Sequence, residues 1–140
     1  MKSIILFVVA CICSTTTPAQ IKIQSYKIDI GKFDSVNNKW SFSKPIPSNI
    51  VTYISDKSIT IYDTDTTTVS IINSEITDKE QYNTIQYSGN DNNGNPSFIS
   101  FTHYKKYNLH TIDVVLKDRC FVLFITEPFD FNTILIAPTK

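Results

Sequence analysis

With 140 residues and a formal net charge of zero, the chain has room for one domain and no electrostatic footprint for nucleic acid or an anionic membrane surface. Its 21 Ile, 16 Thr and 8 Val stand against 5 Leu, 3 Ala, 3 Glu and 1 Met. That balance starves helices of their best formers and supplies strands with stiff, β-branched side chains. Hydrophobic residues make up 41% and charged ones 19%, enough to build a core, which excludes disordered tails along with helical bundles and coiled coils.

The first nineteen residues read as an address. Met1 and Lys2 form a short positive start, and Ile4 to Cys13 is an apolar run well short of the ~20 residues needed to cross a bilayer. Thr17 and Ala19 then supply the small residues of a cleavage site. The expectation is therefore a signal peptide over 1–19 and a single mature domain over 20–140, periplasmic or secreted. An alternative uses Val8 to Cys11, which matches a lipid-attachment pattern and would make the protein an outer-membrane lipoprotein through Cys11. No later stretch is long and apolar enough to span. With the leader gone, Cys120 is the one thiol left, so no internal disulfide can form and the core alone must hold the domain.

From Ile21 onward, short alternating runs are broken by turn-forming clusters. Ile21 and Ile23 share one parity while Tyr26, Ile28 and Ile30 share the other, so the phase change at Gln24–Ser25 predicts a β-bulge. Gly31 and the stretch from Asp34 to Asn38 read as a turn. Trp40 and Phe42 make a short strand that Pro45 and Pro47 end. Further strands are expected over Ile50–Ile54, Ile59–Tyr62, Val69–Ile72 and Tyr82–Tyr87, before the turn-rich run from Ser88 to Pro96. Phe98–Tyr104 and Leu109–Leu116 form a predicted hairpin with Asn108 as a left-handed turn residue. Phe121–Thr126 is the most apolar run and reads as a central strand, and Phe131–Ile136 could add a closing one. The pattern predicts an all-β domain: a single antiparallel meander of eight to nine short strands closing into a small barrel or sandwich, lipocalin-like at most.

Tyr26 to Ile30, Trp40, Asn49 to Ile54, Lys57 to Tyr62, and Asp91 with Gly94, ended by a hydrophobic-aromatic strand, resemble a family of small exported proteins from Gram-negative gut-type bacteria. Members share a signal peptide, an early tryptophan, an I-T-I-Y-like strand and a D-x-x-G turn. The ending IAPTK departs from the usual basic finish. The resemblance implies export and β structure, and it implies no activity.

Chemistry-bearing residues are few. His103 and His110 flank the turn from Tyr104 to Leu109; a four-residue loop, Lys105 to Asn108, makes them face each other across the hairpin, as half of a metal site or as a plain polar tip, and a loop one residue different puts them on opposite faces. A closed zinc site takes four ligands, and no third histidine exists. Around Asp91 to Asn95, neither frame satisfies the calcium-loop spacing. Asp113 falls mid-strand, either as an inward-facing functional acid or, the preferred expectation, as an outward one paired with a cross-strand lysine. Cys120 alternates with Val122 and reads as a buried hydrophobe. No hydrolase, phosphate-loop, zinc-protease or dinucleotide signature is present, so no catalytic residue and no cofactor is assigned.

Tyrosines on strands, with Tyr53, Tyr62, Tyr87 and Tyr104 as the candidates, would make a binding face if exposed or line a pocket if turned inward. Ser35 and Thr66 sit in short patterns resembling an O-glycosylation sequon, both in predicted exposed turns. The functional expectation is a non-enzymatic exported module that binds a protein or glycan partner through a surface face. The alternative is a carrier of a small apolar ligand inside the barrel.

Overall fold

The computed structural model describes residues 20–125 and Ile134. Ten strands follow in chain order: β1 (Ile21–Asp34), β2 (Lys39–Phe42), β3 (Ile46–Pro47), β4 (Val51–Ile54), β5 (Ser58–Tyr62), β6 (Thr66–Asp78), β7 (Tyr82–Asn90), β8 (Pro96–Tyr104), β9 (Leu109–Val115) and β10 (Cys120–Ile125). Every pairing is antiparallel, and β4 to β10 pair in sequence order. β1 closes the ring by pairing with both β4 and β10, which makes an eight-stranded barrel and not a sandwich. β2 and β3 are extra strands hung on β1.

β1 serves two partners because it is long and bulged. Ile21–Gln24 pair with β4, Ser25–Gly31 pair with β10, and the register slips between Ser25 and Lys27. The phase change of the isoleucines thus marks a real bulge, one that lets Ile23 and Ile28 both face the core. Gly31 lies in the strand and not in the turn. A Cβ there would stand 3.1 Å from both Phe42 Cε1 and Trp40 Cε3, so the missing side chain lets β2 pack down on β1. The turn itself begins at Asp34, whose Oδ1 accepts the Val36 and Asn37 amides, and it closes at Asn38 with a φ of 49°.

β6 runs straight through the polar stretch after Ile72, where the sequence reading had ended it. Beyond a second bulge between Ile71 and Asn73, its polar residues still pair with β7 out to Asp78–Asn83. Solvated side chains do not stop a strand whose backbone is satisfied by a neighbour. Likewise, the turn-rich run after Ser88 narrows to a loop of residues 91–95, since Gly89 and Asn90 remain in β7. The predicted hairpin of β8 and β9 forms around a 3-10 turn at Lys105–Tyr107, with Asn108 left-handed at φ 45°. A closing strand over Phe131–Ile136 lies outside the described residues apart from Ile134, whose backbone is helical.

All eight barrel strands send isoleucine, valine, leucine or an aromatic ring into one core, which Ile134 joins at 0% exposure. Alternation therefore decides function here: odd-numbered positions of β7 and β8 face in, even-numbered positions face out. The turns at residues 55–57, 79–81 and 105–108 share one rim, and those at 63–65, 91–95 and 116–119 share the other.

Candidate functional site

The tyrosine candidates divide between the two faces of the barrel wall. Tyr87 points inward, 1% exposed, edge-on to Phe101 with centroids 5.9 Å apart. Its hydroxyl donates to the carbonyl of Ile134, and burial pushes its pKa up to about 12. Tyr87 is thus a core residue and takes no part in a surface face.

Tyr53, Tyr62 and Tyr104 point outward. Tyr53 and Tyr62 sit diagonally across β4 and β5, edge-to-face at 5.4 Å, beside a shallow groove of about 290 Å³ lined also by Gln20, Val51 and Thr60. Tyr104 is the cross-strand partner of Tyr82, with ring centroids 6.4 Å apart and planes tilted by 52°. With Tyr107, Gln81 and Lys106 they bound a recess of about 400 Å³ at the rim. Two turns hold it in shape. The Lys105 amide donates to the Gln81 carbonyl at 3.0 Å, and Lys105 Nζ reaches Asp78 Oδ1 and the Lys79 carbonyl. Sequence reading noticed the tyrosines and missed Gln81 and Lys106, because only the β7–β8 register places residues 25 apart in one recess.

His103 and His110 do meet. They are direct cross-strand partners, and their rings stack at 4.2 Å with planes 3° apart. His103 Nε2 lies 3.1 Å from Asn108 Oδ1. Burial, then the neighbouring imidazole, lowers the His110 pKa. Among the described residues, no three His, Cys, Asp or Glu side chains gather as a metal site would require.

Asp113 points outward as expected, but its partners are not lysines. Ser100 and Val122 stand opposite it on the flanking strands, and Thr102 Oγ1 donates to its Oδ2 at 3.4 Å. Thr102 in turn touches Thr84 Oγ1 at 2.9 Å. Burial pushes the Asp113 pKa up to about 6 against the weaker pull of the Thr102 and Thr111 hydroxyls. Strand alternation puts this carboxyl on the opposite side of β9 from the two imidazoles, so the three do not share a cleft. Cys120 is buried and free, its pKa raised by burial first and by the Asp113 charge second.

The opposite rim carries a polar cleft of about 420 Å³ between Asp65–Thr67, residues 91–95 and Leu116–Arg119. Asp91 Oδ1 accepts the Asn93 and Asn95 amides, and the Asn95 backbone contact above all holds its carboxyl below the usual range. Arg119 Nη2 donates to Thr67 Oγ1 at 3.0 Å. Ser35 lies exposed in the β1–β2 turn, whereas Thr66 is exposed as the first residue of β6 and not within a turn. Cys11 and the cleavage site lie outside the described residues. No helix among the described residues is long and apolar enough to cross a membrane. Set against known proteins, the chain matches no family model, no curated protein and no solved structure.

Proposed function

We propose that the protein is an exported, non-enzymatic β-barrel that binds a protein or glycan partner through its outer surface. The observation that carries this reading is the arrangement of outward-facing tyrosines in pairs, half-buried Tyr53 with exposed Tyr62 and half-buried Tyr82 with exposed Tyr104, each beside an open recess. Tyrosine offers a large amphipathic surface with few torsions to freeze, which suits it to recognition. The interior supports the same reading, since side chains from all eight barrel strands and Ile134 pack there as one cluster.

The carrier reading keeps one argument, the closed eight-stranded meander itself, an architecture whose interior takes side chains or one small ligand. Native mass spectrometry of the protein recovered after export separates the two. A bare polypeptide mass is the expected result, and a co-purifying small mass released on denaturation would favour the carrier. Hydrogen exchange, with cell-envelope material divided into protein and polysaccharide fractions, then tests the surface. Protection around residues 53–62 or 82–107 is expected, and no protection by either fraction would sink the proposal.

A further inference from the structure

The recess at the rim of the 79–81 and 105–108 turns has a more specific chemistry than a general adhesive face, and its assignment rests on the surface-binding reading above. We propose that Tyr82, Tyr104 and Tyr107, with Gln81 and Lys106, form a binding site for an acidic saccharide, a short glycan carrying a uronic-acid carboxylate.

Shape comes first. A recess of about 400 Å³ is concave and of a size that takes a small ligand or a few sugar rings, whereas a stable protein interface needs about 800 Å² on each partner. The aromatic rings come next. Tyr82 and Tyr104 are held opposite one another by strand register, tilted by 52° and standing apart, while Tyr107 is 71% exposed on the 3-10 turn. Each ring presents a face of negative quadrupole, which attracts the weakly positive C–H face of a pyranose. The phenol hydroxyls and the Gln81 amide supply donors and acceptors for its hydroxyl groups.

Charge narrows the ligand. Of the five lining residues one is a cation and none is an acid. Lys105 is engaged by Asp78 at 2.8 Å, so the neighbouring positive charge is already answered. Lys106 lies with its ammonium 5.3 Å from the Tyr107 ring centroid, on the lining of the recess. A carboxylate on the sugar completes that pairing, and a neutral sugar leaves it unanswered. The recess is also preorganised, because the Lys105 amide and ammonium tie the two turns together before any ligand arrives.

The test is an NMR titration of the protein recovered from cells expressing the full chain. The probes are trisaccharides of galacturonic, glucuronic, mannuronic and guluronic acid, each with its carboxyl-reduced neutral counterpart. At least one uronate should shift the amides of residues 81–82 and 104–107 and bind at least tenfold tighter than its neutral counterpart. Lys106→Gln should abolish that difference. Tyr107→Ala, at an exposed position where folding is not at stake, should weaken both by tenfold or more. Shifts confined to other residues, no binding by any uronate, or a preference that survives Lys106→Gln would each overturn the proposal. If the uronates fail while an envelope protein fraction still protects residues 82–107, the surface reading stands and the saccharide site falls. If the uronates fail and neither envelope fraction protects residues 53–62 or 82–107, both fall.

Discussion

On the outer side of β9 the Asp113 carboxyl has exchanged water for the hydroxyls of Thr102, at 3.4 Å, and Thr111. Burial lifts its pKa from 3.8 to about 6, so the fold disfavours its ionised form by about 3 kcal/mol. An acid whose pKa is raised in the fold binds its proton more tightly folded than unfolded. The contribution of Asp113 to stability should therefore be greatest below pH 4, fall as pH rises through 6, and level off above. Urea denaturation across that range measures the slope, and Asp113→Asn should flatten it. The same slope in both proteins would place the titration elsewhere. The sequence showed an acid amid apolar neighbours; its hydroxyl partners became visible only with the register, which brings Thr102 within reach from β8. Tyr87 offers a second test at this scale. Tyr87→Phe removes the donor to the Ile134 carbonyl and leaves that acceptor buried, which should cost about 1–2 kcal/mol in the same assay.

At the scale of strands, alternation was a good guide and strand ends were not. The Ile21–Ile23 to Tyr26–Ile30 phase change located the β1 bulge, and Asn108 located a left-handed turn. β6 and β7 both run past their expected ends, because turn-forming composition there does not make a turn. Gly89 is the instructive case: it belongs to the strand because a Cβ would stand 1.9 Å from the Ser70 carbonyl oxygen, beside the β6 bulge. Glycine there permits a close backbone approach and does not mark a reversal. Gly89→Ala should part β6 from β7 locally and destabilise the protein by about 3 kcal/mol, with amide protection lost first along residues 69–73 and 88–90. Unchanged protection there would refute the close approach. The tyrosine recess was only half legible, since the rings advertise themselves in sequence whereas the amide and ammonium beside them do not.

For the molecule as a whole, the ring closes by pairing its first strand with its last, β1 with β10. That contact spans nearly the whole described chain, so closure carries a large loop entropy and the barrel should fold slowly as one unit. Fold class was readable from isoleucine and threonine content and strand spacing, but the choice of barrel over sandwich depended on this single long-range pairing. Ile134 adds a side chain to the core from beyond the ring. Ile134→Ala should cost about 2–4 kcal/mol through the lost side chain, while its backbone carbonyl still accepts from Tyr87. Outside the ring hangs the β1–β2 hairpin, where half-buried Trp40 rests on Phe33 with centroids 5.2 Å apart. As the chain has one tryptophan, its emission gauges the state of this appendage, while far-ultraviolet dichroism gauges the barrel. The two signals should change together if hairpin and ring melt as one, and the tryptophan should move first if the hairpin peels away alone.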